Sequence, residues 1–293
     1  MRRKSFLQCA LLMRAAAVLA LGLPCWAQFT TVQEQEWLNS PAASSHVGNV
    51  TGDAKNAAAG YRRYCVGCHG DLGDGNGENA VWLDPKPRDF TLGIFKCRST
   101  PTGTLPTDQD LYDTIGRGLD RSNMPVWSTF TRQERADLVA WIKHFSPRWQ
   151  KEKAGDPIQI PPEPEVTPER VKAGEEVYGR VQCWKCHGVQ GMANGPSAST
   201  LTDDLGRPIL AYNFTDGSRP KCGETDRDIY RIFMTGLDGT PMPSFADNIK
   251  PDEAWDLVFY LRTLQPHNAF NLKEKQIAQQ LGLKPVNPNA PPQ

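Results

Sequence analysis

Nowhere in this chain is there a second apolar run to match residues 15–24, and that run falls well short of the ~20 residues a membrane-spanning helix needs. An excess of charge of either sign is also missing, with 33 basic and 33 acidic residues. Nucleic acid is therefore a poor partner, because its recognition rests on a basic face. The glycine-rich stretch 70–77 lacks the Lys-Ser/Thr ending and the preceding strand that a phosphate-cradling loop requires. No nucleophile, general base or substrate cleft is signalled along the chain.

What is present begins with a basic start, Met1-Arg2-Arg3-Lys4, then the apolar run and Cys25-Trp26-Ala27. This pattern reads as a secretory signal peptide, residues 1–27, cut after Ala27. Its removal takes away Arg2, Arg3, Lys4 and Arg14 and no acidic residue, leaving 29 basic residues against 33 acidic. The mature chain is then mildly acidic, periplasmic and without a membrane span.

Two pentapeptides organise the rest: Cys65-Val66-Gly67-Cys68-His69 and Cys183-Trp184-Lys185-Cys186-His187. C-x-x-C-H is the attachment pattern of c-type haem, in which two thiols bind one porphyrin and the adjoining imidazole reaches the iron. A zinc site would need further Cys or His ligands nearby, and no second pair lies close to either motif. Each histidine is followed after 55 residues by a methionine beside a proline, Met124-Pro125 and Met242-Pro243. His69 with Met124, and His187 with Met242, are accordingly the candidate iron ligands. Cys65, Cys68, Cys183 and Cys186 are the candidate attachment points.

The two motifs belong to a larger duplication. Residues 107–125 align with 225–243 without a gap; nine of the 19 positions are identical, among them Asp108/Asp226, Asp110/Asp228, Tyr112/Tyr230, Gly118/Gly236 and Leu119/Leu237. The same offset of 118 relates His69 to His187. Ala57 and Tyr61 before the first motif answer to Gly174 and Tyr178 before the second. Each half closes on an amphipathic helix, with Leu138, Trp141, Ile142 and Phe145 matching Leu257, Tyr260, Leu261 and Leu264. Thr131 with Glu134 forms a capping box, Pro251 suits a first helical turn, and Pro147 and Pro266 end the two helices. Met192 and Met234 are competing sulfur donors, but their counterparts at the offset are Asp74 and Gly116. His46, His144 and His267 fall outside the repeated pattern and read as surface residues.

Met/His ligation raises a reduction potential and leaves a six-coordinate iron without a place for substrate. A backbone carbonyl should hold each histidine's second nitrogen, with Pro85 or Pro87 as candidate acceptors in the first half and Pro208 in the second. Together the motifs, glycine-rich loops, Met-Pro pairs and closing helices resemble class I cytochrome c domains present twice, similar to tandem dihaem cytochromes of bacterial periplasms. The resemblance implies an all-α fold, a few helices around each of two covalently attached haem c groups. It also implies passage of single electrons between redox proteins: a donor dehydrogenase or cytochrome complex, and an acceptor cytochrome or oxidase. The division is a flexible leader at 28–52, domains at 53–147 and 167–266, a proline-rich linker at 148–166 and a tail at 267–293, within which 272–281 can form a helix.

Cys97 and Cys222 remain. They lie at corresponding places in an oxidising compartment, and an inter-domain disulfide is the leading reading. Two buried thiols are a second reading. A third places Cys97 on the first iron in place of Met124, as in thiosulfate-oxidising dihaem enzymes, and with it an enzyme of peroxidase or thiosulfate dehydrogenase type instead of a carrier.

Overall fold

In a computed structural model, the described residues are 43–266, 268 and 271–283. Residues 1–42, with the stretch expected to be a signal peptide, His267 and the last ten residues lie outside them. The described chain is helical apart from one two-stranded sheet.

That sheet corrects the expectation of a flexible leader where the leader is described. Strands β1 (Ser44–Val47) and β2 (Val50–Asp53) pair antiparallel with Ser44 opposite Asp53. They are fixed from far along the chain: Ser45 donates to the Ala136 carbonyl at 2.7 Å, and the Asp53 amide to Asp137 at 2.8 Å. A side chain at Gly52 would run into the Ala136 carbonyl, so glycine is required where strand and helix meet. Strands this short are stable only when packed on another element, and here they are.

In the first half, α1 (Ala58–Tyr64) runs into the single turn α2 (Val66–His69), followed by α3 (Asp108–Arg117) and α4 (Arg132–Lys143). Thr107 with Asp110 and Thr131 with Glu134 close capping boxes at the starts of α3 and α4, satisfying orphan backbone amides. Leu138, Trp141 and Ile142 are buried, as their spacing predicts. The linker is less plain than its composition suggests, because Arg148–Lys151 forms a helical turn, α5. Arg148 donates to the carbonyls of Gly93 and Gly103 at 2.8 and 2.9 Å, tying that turn to the first half.

The second half repeats the plan with α6 (Pro168–Arg180), α7 (Trp184–His187), α8 (Asp226–Thr235) and α9 (Pro251–Leu264). A Cβ at Gly174 would overlap the Asp256 carbonyl, so the small residue expected before the motif is what lets α6 and α9 cross closely. Trp255, Val258 and Phe259 are fully buried there. The final helix, α10 (Leu272–Gln280), buries Ile277 and Ala278.

The halves are joined covalently. Cys97 and Cys222 form a disulfide with an S–S distance of 2.11 Å and Cα atoms 5.1 Å apart. Beside it the buried Arg98 guanidinium meets Asp238 at 2.7 Å and donates to the Thr235 carbonyl.

Candidate haem sites

Each motif begins where its helix is interrupted. The turn Val66–His69 ends at Gly70 (φ 78°), the turn Trp184–His187 at Gly188 (φ 79°), conformations that favour glycine. The chain then folds back along the motif through one set of backbone bonds made twice. Gly73 donates to Gly70, Gly75 to His69, Gly77 to Cys68 and Asn79 to Gly67; at the 118-residue offset, Gly191 donates to Gly188, Ala193 to His187, Gly195 to Cys186 and Ser197 to Lys185. Tyr61 and Tyr178 brace the loops from below, donating to the carbonyls of Gly70 and Gly188 at 2.8 and 2.5 Å.

Both imidazoles are oriented by backbone. His69 Nδ1 donates to the Arg88 carbonyl at 3.1 Å and His187 Nδ1 to the Tyr212 carbonyl at 2.8 Å. The carbonyls of Pro85, Pro87 and Pro208 do not serve, because the two connecting loops differ in length and a proline-based alignment misplaces the acceptor. A better signal was there: Arg88-Asp89-Phe90-Thr91 and Tyr212-Asn213-Phe214-Thr215 share an Asx-Phe-Thr order. In each, the Asx side chain accepts from the threonine amide at 2.8 Å. The phenylalanine then packs on the histidine, 4.4 Å between ring centroids for Phe90 and His69, 4.9 Å for Phe214 and His187. Burial pushes both imidazoles below their ordinary pKa. With Nδ1 donating, Nε2 carries the free lone pair, the state a metal ligand needs.

Met124 and Met242 are presented by a second duplicated device. Leu119 donates to the Met124 carbonyl and Leu237 to that of Met242, both at 3.1 Å. Ser122 and Thr240, at the same offset, donate their hydroxyls to Leu119 and Leu237 and accept from the amides of Met124 and Met242. Gly118 and Gly236, at φ 68° and 70°, lie so close to the Met-Pro backbone that a Cβ would overlap it.

At the first site these parts share one cleft of about 1310 Å³, its open mouth included. Cys65, Cys68, His69 and Met124 line it, with Phe95, Leu111, Ile115 and Ile142 among its apolar walls. Four cations, Lys86, Arg88, Lys96 and Lys221, and no carboxylate also line it; Lys221 comes from the second half. Burial is the main cause that lowers the pKa of Lys96 to about 8 and depresses Arg88 and Lys221, and repulsion from Arg88 adds to the shift of both lysines. An apolar slot with two thiols, a free imidazole nitrogen, a thioether and a cationic edge fits haem, a flat apolar ring carrying two carboxylates. Burial pushes the thiols of Cys65 and Cys183 up to about 12, so both are protonated in the unliganded cleft. Among the described residues, no group of three His, Cys, Asp or Glu side chains is placed to hold a metal ion. At the second site Cys183, Trp184, Phe214 and Met242 pack, partly buried, against the core of that half, as does Met234. His46 lies on the hairpin and His144 at the end of α4, and neither lines the cleft.

Two family models match the chain, one in each half. Residues 171–265 match the family model described as cytochrome c, and residues 52–142 match cytochrome C oxidase, cbb3-type, subunit III. A chain of the Kuenenia stuttgartiensis reducing HAO-like protein complex is 42% identical, with a TM-score of 0.70 over 74% of this chain and 98% of that one. This chain is a tandem cytochrome c. No curated protein sequence matches it. As a tandem cytochrome c it has domains of covalently bound haem c and haem-based electron transfer. No helix among its described residues is long and apolar enough to cross a membrane.

Proposed function

We propose that this tandem cytochrome c binds two haem c groups, through Cys65, Cys68 and His69 and through Cys183, Cys186 and His187, with Met124 and Met242 as the sixth ligands. Bound haem c supplies a one-electron ferric/ferrous couple. The observation that carries the reading is the doubled frame: the same loop bonds, carbonyl-held imidazole and hydroxyl-braced methionine occur in both halves. Arg88 and Tyr212 fix the histidines by their carbonyls, the apolar walls exclude water, and the paired methionines fill the position a substrate would need. An enzyme with Cys97 as an axial thiolate is disfavoured, since that sulfur is in the disulfide.

The protein acts, on this reading, as an exported electron-transfer subunit, released from its signal sequence after Ala27 into the periplasm. A structural disulfide suits an oxidising compartment. The similar chain from the HAO-like complex supports a role as the redox subunit of a larger assembly over that of a free carrier. Native purification from the periplasm tests this. A stoichiometric dehydrogenase or cytochrome partner, reducing or reoxidising the protein, is the expected result; a lone monomer that turns over peroxide or thiosulfate would contradict it.

A further inference from the structure

The loop that orients His187 spans residues 212–218 and is bound by the other half of the molecule. Tyr212 supplies the carbonyl that accepts from His187 Nδ1, and Phe214 packs against the imidazole. Asp216 closes the loop by accepting from the amide and hydroxyl of Ser218 at 2.9 and 2.6 Å. From the first half, the Arg121 guanidinium lies over the Tyr212 ring, 5.9 Å from its centroid, and pairs with Asp216 at 3.0 Å. One planar cation therefore grips the loop at both ends. The neighbouring Asp120 adds a bidentate grip on Arg219, at 2.7 and 2.9 Å, just past the loop.

Arg121 itself sits in the first half's methionine loop, three residues before Met124. Its backbone is left-handed, φ 55°, where the corresponding residue at the 118-residue offset, Gly239, has φ 78°. An arginine held where glycine would be unstrained points to a use for its side chain. A reciprocal contact exists: a Cβ at Gly239, in the second methionine loop, would lie 3.1 Å from Nη1 of Arg88, whose carbonyl holds His69. Each methionine loop thus abuts the residue that orients the opposite histidine.

We propose that Arg121 is a positioning residue for the second haem site, supplied by the first half, which sets the orientation of His187 by clamping the 212–218 loop through Tyr212 and Asp216. The inference rests on His187 being an iron ligand. Its consequence is coupling: a change of conformation at the Met124 loop is felt at the second site as a change in histidine orientation.

The test is a redox titration of the haem-loaded protein with histidine NMR, comparing wild type, Arg121→Gly and Arg121→Lys. The glycine variant removes the clamp and relieves the backbone, so it should fold; the lysine variant keeps the charge but loses the planar fork. The two waves are assigned with Met124→His, which lowers the first strongly. Both Arg121 variants should move the second wave, by up to about a tenfold change in its equilibrium constant or 59 mV, and shift the His187 ring resonances. A lysine variant with the wild-type second wave and His187 resonances would overturn the proposal, leaving only a charge effect. So would a second site unmoved in both. Wild-type protein without two one-electron waves would overturn the haem reading and this inference with it, whereas unmoved variants overturn the inference alone.

Discussion

Asp120 and Asp238 occupy equivalent positions, 118 residues apart, and each accepts an arginine from the opposite half: Arg219 for Asp120 and Arg98 for Asp238. The two arginines are not equivalent, since Arg98 follows Cys97 by one residue and Arg219 precedes Cys222 by three, so the two ends of the seam are alike in chemistry and not in position. The disulfide sits beside Arg98 in this seam.

The two aspartates should nonetheless differ in energetic weight. Arg98 is fully buried and Asp238 14% exposed, while Arg219 and Asp120 are 55% and 30% exposed. Asp238→Asn strands a buried guanidinium and should cost about 3–5 kcal/mol. Asp120→Asn should cost under ~1 kcal/mol. Denaturant unfolding of the oxidised holoprotein measures both, and equal losses would contradict the ranking.

The disulfide closes a sequence separation of 125 residues. Replacing both Cys97 and Cys222 by serine should destabilise by about 2–5 kcal/mol through a less constrained unfolded chain. The haem spectra of the two halves should persist. Peptide mapping without reduction should recover the two cysteines in one cross-linked peptide.

Lys96 gives a pH dependence. Its ammonium at the edge of the first cleft favours the reduced, less positive state of that site. Burial has lowered its pKa to about 8, and a bound carboxylate would raise it again. The first-site potential should therefore fall as pH rises through about 8 or somewhat above, once the lysine loses its proton. Lys96→Met should lower the potential below that pH and flatten the profile. A profile unchanged by the substitution would place the titration elsewhere.

The parts of each site that are local in sequence were legible: the pentapeptides, the Met-Pro pairs, the closing helices and the small residue at Gly174. The disulfide could be read by counting what the haem motifs leave over. The hairpin could not, because residues 44–53 show no period of their own and gain their order from Ala136 and Asp137, far along the chain. The carbonyls on His69 and His187 were hidden by unequal loops, and only the Asx-Phe-Thr order marks them. Lys221 in the first cleft and Arg121 on the second histidine loop cross between halves, which no pattern within one repeat can reveal.

Each methionine should govern its own site. Met124→His or Met242→His should abolish half of the weak far-red sulfur-to-iron absorption and lower one of two potentials, since thioether ligation stabilises the ferrous state. Retention of the full band in both variants would move the sixth ligands elsewhere, with Met192 and Met234 the next to examine.

Two covalent haem sites of like construction in one chain can be counted by intact-mass analysis of the denatured, purified protein, read with its haem content. The mature chain should begin after Ala27 and carry two haem masses that survive denaturation, falling to one when Cys183 and Cys186 are replaced by alanine. One haem in the wild type, or haem lost on denaturation, would contradict it.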